Sequence, residues 1–127
     1  MSNSKYRDAD DYYDMAYEWL KKKNYESAKL YFKKVIELNP RFIHAYIDLS
    51  GIYAAAGNYH DAISALRKAV EYDPDFDRLY YLIAKYSYKV NDFKRAIGTI
   101  EKAIQINPLR LYYRAKQIFE EIYRKSI

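Results

Sequence analysis

The sequence predicts an all-α protein of seven helices, in which three antiparallel helix pairs stack on one another and a last helix closes the array. Three observations predict it. Asn24 to Pro40, Asn58 to Pro74 and Asp92 to Pro108 are versions of one segment, with Pro40, Pro74 and Pro108 spaced by 34 residues. Ala28, Ala62 and Ala96 keep that step, as do Tyr25, Tyr59 and Phe93. So strict a period means one supersecondary unit stacked on itself. Second, the chain has only 3 glycines and 3 prolines, and the prolines fall at unit boundaries, which leaves long stretches free to form helices. Third, the apolar residues between those boundaries recur at helical spacing.

Taken in order, residues 1–8 lack a periodic apolar pattern and are expected to form a flexible tail. From Ala9 a helix begins, with Tyr12, Met15, Ala16 and Trp19 on one stripe. Lys22 to Asn24 form a turn, and Asn24 is placed to cap the next helix by accepting from its free first-turn amides. That helix is expected to bury Tyr25, Ala28, Phe32, Val35 and Ile36 and to stop before Pro40. In the second unit Tyr46, Leu49, Ser50 and Tyr53 form the first stripe, Gly57 takes a left-handed turn, and Asn58 caps a helix burying Tyr59, Ala62, Leu66, Ala69 and Val70. In the third the stripe is Tyr80, Ile83, Ala84 and Ser87. Asn91 takes the turn and Asp92 the cap, and Phe93, Ala96, Ile100, Ala103 and Ile104 follow.

After Pro108 the register slips by one, because strict continuation would bury Arg114, Gln117 and Glu121. The stripe expected to be buried is Leu111, Tyr112, Ala115, Ile118, Phe119, Ile122 and Tyr123, with charged residues opposite. A repeat stack needs such a helix to cover its last apolar face.

Composition narrows the function. Half the residues are hydrophobic and 31% charged, enough to bury one core within 127 residues and too few for a second domain. There are no cysteines, which removes disulfides, thiolate metal sites and thiol nucleophiles. The polar start and the lack of a long apolar run point to a cytoplasmic protein without a membrane span. The net charge of +5 is uneven: residues 43–76 carry two basic and five acidic side chains, residues 77–127 eleven basic and five acidic. Attraction to an anionic partner is therefore expected toward the C-terminal end.

These positions together resemble the tetratricopeptide repeat (TPR) family, a right-handed superhelical stack of antiparallel helix pairs. The large first-helix residue matches Tyr12, Tyr46 and Tyr80, and the leucine position Met15, Leu49 and Ile83. The small residue at the helix crossing matches Ala16, Ser50 and Ala84, and the next aromatic matches Trp19 and Tyr53, with Ser87 a departure. The second-helix alanine and the boundary proline match in all three units. The resemblance divides residues 9–127, a single domain, into repeats at 9–42, 43–76 and 77–110 and a capping helix at 111–127.

The resemblance implies a concave surface lined by the first helix of each pair, and a protein or peptide segment as its ligand. Candidate binding residues are Tyr13, Tyr17, Ile47, Asp48, Arg78, Tyr81, Leu82, Lys85 and Tyr88, with Lys21 and Gly51 beside them and Lys116 and Phe119 added from the last helix. Tyrosine suits recognition because it offers area and a polar tip at low entropic cost. It is also abundant here, 17 of 127 residues, so surface preference is the competing explanation. One branch of the family, resembling chaperone cofactors, clamps a peptide carboxylate with two lysines, two asparagines and an arginine. Its positions fall on Tyr13, Tyr17, Asp48, Arg78 and Leu82, where only Arg78 is basic, so that clamp is not expected.

Nothing points to catalysis. His44 and His60 stand apart, with no cysteine or HExxH-type partner, and read as solvated. Carboxylate pairs such as Asp10 and Asp14 read as favourable charge on helix surfaces. No catalytic residue, metal site or cofactor is expected. Two other functions remain open: self-assembly through Tyr112, Phe119, Ile122 and Tyr123 of the last helix, and, more remotely, RNA binding through Tyr86, Tyr88, Lys89, Tyr112 and Arg114.

Overall fold

The computed structural model describes the backbone of residues 2–127 and the side chains of residues 6–127. Seven helices account for the described residues, with no strand among them: α1 (Ser2–Lys21), α2 (Tyr25–Leu38), α3 (Ile43–Ala55), α4 (Tyr59–Tyr72), α5 (Asp77–Lys89), α6 (Phe93–Ile106) and α7 (Arg110–Ser126). Each packs on the next in sequence. The pairs α1 with α2, α3 with α4 and α5 with α6 stack into the all-α superhelical array that the period predicts.

The reason the pairs stack is visible in the core. One buried cluster joins Ala16 of α1 and Phe32 and Val35 of α2 to Leu49 and Ile52 of α3. The next joins Tyr46 of α3 and Leu66 of α4 to Leu79 and Ile83 of α5. A third joins Ala84, Ile100, Tyr112 and Phe119 of α5, α6 and α7. Every cluster draws on the helix that follows its pair, so no pair closes its own core. Full burial of Phe32, Leu66 and Ile100 contributes roughly 1.5–3 kcal/mol each. Where helices cross, Ala16, Ala28, Ala62, Ala84 and Ala96 are completely buried, and Cβ is as much side chain as the gap admits.

The turns repeat as strictly as the helices. Lys23, Gly57 and Asn91, spaced by 34, have φ of 60°, 81° and 62°, the left-handed conformation that reverses the chain within each pair. The residue after each returns its amide to a carbonyl five residues back: Asn24 to Trp19, Asn58 to Tyr53 and Asp92 to Ser87. Asn24 caps α2 by accepting from the Ser27 amide at 3.1 Å, and Asp92 caps α6 by accepting from Arg95 at 3.3 Å. Asn58 holds the equivalent position but makes no side-chain capping bond. Between pairs, the Tyr46 and Tyr80 hydroxyls donate to the carbonyls of Pro40 and Pro74, both at 2.7 Å, and so pin each first helix to the boundary it follows.

Several sequence expectations are corrected. Residues 2–8, expected as tail, are helical, since an established helix extends readily through residues that include neither glycine nor proline. Met1 lies outside the described residues. Met15 is exposed because α1 has no preceding helix to cover it, and Tyr25 is exposed at the start of α2. Trp19 is half-buried rather than central, with the Lys22 ammonium 5.3 Å above its ring. In α7 only Tyr112 and Phe119 of the expected stripe are buried, while Leu111, Ile118 and Ile122 are exposed. Ser87, at the position where Trp19 and Tyr53 stand in the other pairs, is buried with its hydroxyl unpartnered.

Candidate functional site

Side chains that are exposed or only half-buried repeat with the helices, and on α1, α3, α5 and α7 they form rows. One row is Tyr13, Ile47, Tyr81 and Arg114; a second is Tyr17, Gly51, Lys85 and Ile118. Two more run through His44, Arg78 and Leu111 and through Ala55, Lys89 and Ile122. The spacing is 34 until α7, where the slip makes it 33. In three rows a basic group on α5 is followed by an apolar one on α7, Arg78 by Leu111, Lys85 by Ile118 and Lys89 by Ile122; in the remaining row Tyr81 is followed by Arg114.

Two clefts lie on these rows. The middle one, about 370 Å³, is lined by Ile47, Asp48 and Gly51 of α3 and by Arg78, Leu82 and Lys85 of α5, with Leu20 and Tyr25 at one end. A Cβ added at Gly51 would meet nothing within 4 Å. No close approach therefore requires glycine here; its lack of a side chain leaves the cleft open at a cost of about 1 kcal/mol in helix propensity. The second cleft, about 450 Å³, lies between α5 and α7, lined by Tyr81, Lys85, Tyr88, Lys89, Leu111, Arg114, Ile118 and Phe119. Lys85 belongs to both, so the clefts are neighbours on one surface.

Of the predicted binding residues, Ile47, Arg78, Tyr81, Lys85 and Tyr88 line the clefts and Tyr17 stands exposed on the same row. The others are partly or wholly structural. The Tyr13 hydroxyl donates to Asp48 at 2.5 Å, and its ring stacks on Phe42 and meets Phe32 edge-on. This bond ties α1 to α3. Burial, followed by the neighbouring carboxylate, pushes the Tyr13 hydroxyl well above the usual tyrosine range. Burial also raises Asp48, against the opposing effects of the Tyr13 hydrogen bond, His44 and Arg78. Leu82 is buried in the core and offers the cleft only an edge.

The far end has a matching staple. The Tyr112 hydroxyl donates to Asp77 at 2.5 Å, and the Asn107 amide donates to the same oxygen, locking α7 to α5. Burial, then the Asp77 hydrogen bond, raises the Tyr112 hydroxyl above its usual range. Tyr88 stacks on Phe119 with centroids 5.0 Å apart, and Tyr81 lies 5.2 Å from Tyr112. Tyr112 and Phe119 are thus interior, which removes them from the expected self-assembly face. Lys116 pairs with Glu101 of α6 at 3.2 Å and does not line either cleft, contrary to the expectation that it would. The cleft residues that sequence reasoning missed are Leu111 and Ile118, expected to be buried, while Arg114 was expected only for RNA binding. The signal that locates them is the row register continued with a step of 33 in place of 34.

Among the described residues no group of histidine and acidic side chains could hold a metal ion, and no helix is long and apolar enough to cross a membrane.

Comparison with known proteins agrees with this architecture. A family model for the tetratricopeptide repeat matches residues 20–86 and again residues 53–119. Among solved structures, the chain is similar to the MamA protein, with a TM-score of 0.82 and 22% identity over 91% of this chain. It spans 63% of that MamA chain. It is similar to the first TPR of Spaghetti (RPAP3) bound to an HSP90 peptide, with a TM-score of 0.85 and 12% identity over 94% of this chain and 95% of that one. It is also similar to the Yersinia enterocolitica type III secretion chaperone SycD in complex with a YopD peptide, with a TM-score of 0.80 and 19% identity over 93% and 94% of the two chains. The search of curated proteins gave no match. With the family model covering most of the sequence and the fold shared with these domains, the chain belongs to the tetratricopeptide repeat family.

Proposed function

We propose that the chain is a non-catalytic interaction module that holds a segment of a partner protein along the rows of α1, α3, α5 and α7. The observation that carries this reading is that three of those rows continue onto α7 as the exposed apolar side chains Leu111, Ile118 and Ile122. A helix that only closed the stack would gain from polar residues there. The Spaghetti domain and SycD are each bound to a peptide, and the shared fold makes a peptide segment the natural class of ligand for this chain too. Tyr17, Ile47, Arg78, Tyr81, Lys85 and Tyr88 are the residues proposed to meet it. Tyr13 and Asp48 shape the surface from beneath, their polar groups being satisfied by each other.

The test uses the full chain and the partner that co-purifies with it, once that partner is identified. Replacing Tyr17→Ala and Tyr81→Ala together is expected to lower partner recovery at least tenfold, while Lys102→Glu on α6 leaves it unchanged. Recovery that survives the double substitution and falls with Lys102→Glu would move the contact to the other side of the stack.

A further inference from the structure

The cleft between α5 and α7 has features that the general reading does not use. Leu111 and Ile118, which line it, are exposed by 53% and 50%, and Ile122, exposed by 36%, continues the same side of α7 past the cleft at helical spacing. Eleven residues separate the first from the last, so the ridge is about 17 Å long, roughly three helical turns. No residue lining the cleft is acidic. Lys85, Lys89 and Arg114 project there, and among the described residues none of the three has a carboxylate partner, whereas Lys116, facing α6, does. The aromatic wall behind them is already fixed by the stacking of Tyr88 on Phe119.

We propose that this cleft takes an acidic amphipathic helix of a partner protein, with the apolar stripe of that helix on the α7 ridge and its carboxylates on Lys85, Lys89 and Arg114. The inference rests on the interaction-module reading and names the partner's chemistry. A straight apolar ridge three turns long matches a helix, whose own apolar side chains line up along its axis at i, i+4 and i+7. An extended strand sends alternate side chains to opposite faces and would leave half of them off the ridge. Unpaired cations around an apolar strip select carboxylates beside apolar groups, through attraction that raises the association rate and penalises like charge. A lipid surface offers negative charge as well, but Leu111 and Ile118 line a cleft walled by α5, which a flat bilayer does not enter.

The experiment measures fluorescence anisotropy of three labelled 18-residue peptides with the full chain. One has leucine at i, i+3, i+4 and i+7 spacing with glutamate elsewhere; the second replaces glutamate with glutamine; the third replaces leucine with serine. The acidic amphipathic peptide is expected to bind at least tenfold more tightly than either analogue and to weaken as salt is added. Ile118→Asp, and separately Lys85→Glu with Lys89→Glu, are expected to reduce its binding at least tenfold, with circular dichroism and melting as for the parent chain. Equal binding of the glutamine peptide, or full binding by Ile118→Asp, overturns the proposal. So does loss of a dimer on Ile118→Asp in light scattering, which would make a second copy the occupant, or tight binding to phosphatidylserine vesicles that Ile118→Asp abolishes. If the peptides fail while the co-purified partner still depends on Tyr17 and Tyr81, only this inference falls and the module reading stands.

Discussion

At the scale of single residues, the backbone needs a left-handed residue 34 positions apart three times, and the sequence supplies glycine, asparagine and lysine. Gly57 adopts φ 81° without steric cost and Asn91 tolerates its 62°, but Lys23 at 60° sets its Cβ against the following carbonyl. Lys23→Gly is therefore expected to stabilise the chain by about 1 kcal/mol, read as a higher urea midpoint; an unchanged midpoint would mean that the turn relaxes with lysine in place. Gly57 and Asn91 are legible as turn residues from their identity. Lys23 is legible only from the period, since nothing about lysine itself favours that conformation. A second expectation concerns alkali. The hydroxyls of Tyr13 and Tyr112 are raised in the folded chain above the value of about 10 that tyrosine has when unfolded. The stability they contribute is complete below that value and is lost as pH rises beyond it toward their folded values, because the unfolded chain releases protons first. Unfolding midpoints should fall steeply above about pH 10, and less steeply in a Tyr13→Phe, Tyr112→Phe variant. Identical slopes would mean that these two hydroxyls are not held by Asp48 and Asp77.

At the scale of elements, α7 is instructive. Its position in the stack was legible, because the slip to a step of 33 moves Arg114, Gln117 and Glu121 off the buried stripe. Its orientation was not, since its apolar residues cover more than one face and periodicity alone does not say which face has a neighbour. In the structure Tyr112, Ala115 and Phe119 take the places that Leu79, Leu82 and Tyr86 occupy on α5, the side that meets the preceding pair. The side on which α5 meets α6 becomes Tyr113, Lys116, Gln117 and Glu120, because no helix follows. Two neighbouring substitutions separate the faces. Phe119→Ala, at a site 5% exposed, is expected to cost about 3–5 kcal/mol, and Ile118→Ala no more than about 0.5 kcal/mol. Comparable losses in urea unfolding would mean that Ile118 packs inside the stack. The rows on α3 and α5 were largely legible from the repeat. Leu82 lines the middle cleft while lying mostly in the core, and a leucine beside the inner face gives no sign in sequence of how far the next helix covers it.

At the scale of the whole molecule, both ends of the stack are closed by charge. On α1 the side that would meet an earlier pair carries Asp11, Asp14 and Glu18, all exposed, where α3 has Ala45, Asp48 and Ile52. On α7 the last face is mixed in charge. Charge at these positions disfavours stacking of copies end to end, and the rows along α1, α3, α5 and α7 are the surface proposed to meet a partner. That surface is open at Gly51, basic on α5 and apolar on α7, and its character changes along the stack because each repeat contributes different residues to the same positions. The most direct test is hydroxyl-radical labelling of exposed side chains, with and without the identified partner. Labelling of Leu111 and Ile118 should fall sharply on binding, while Leu30 on α2 and Tyr72 on α4, also exposed, keep their reactivity. Protection of Leu30 and Tyr72 with Leu111 and Ile118 unchanged would contradict the account.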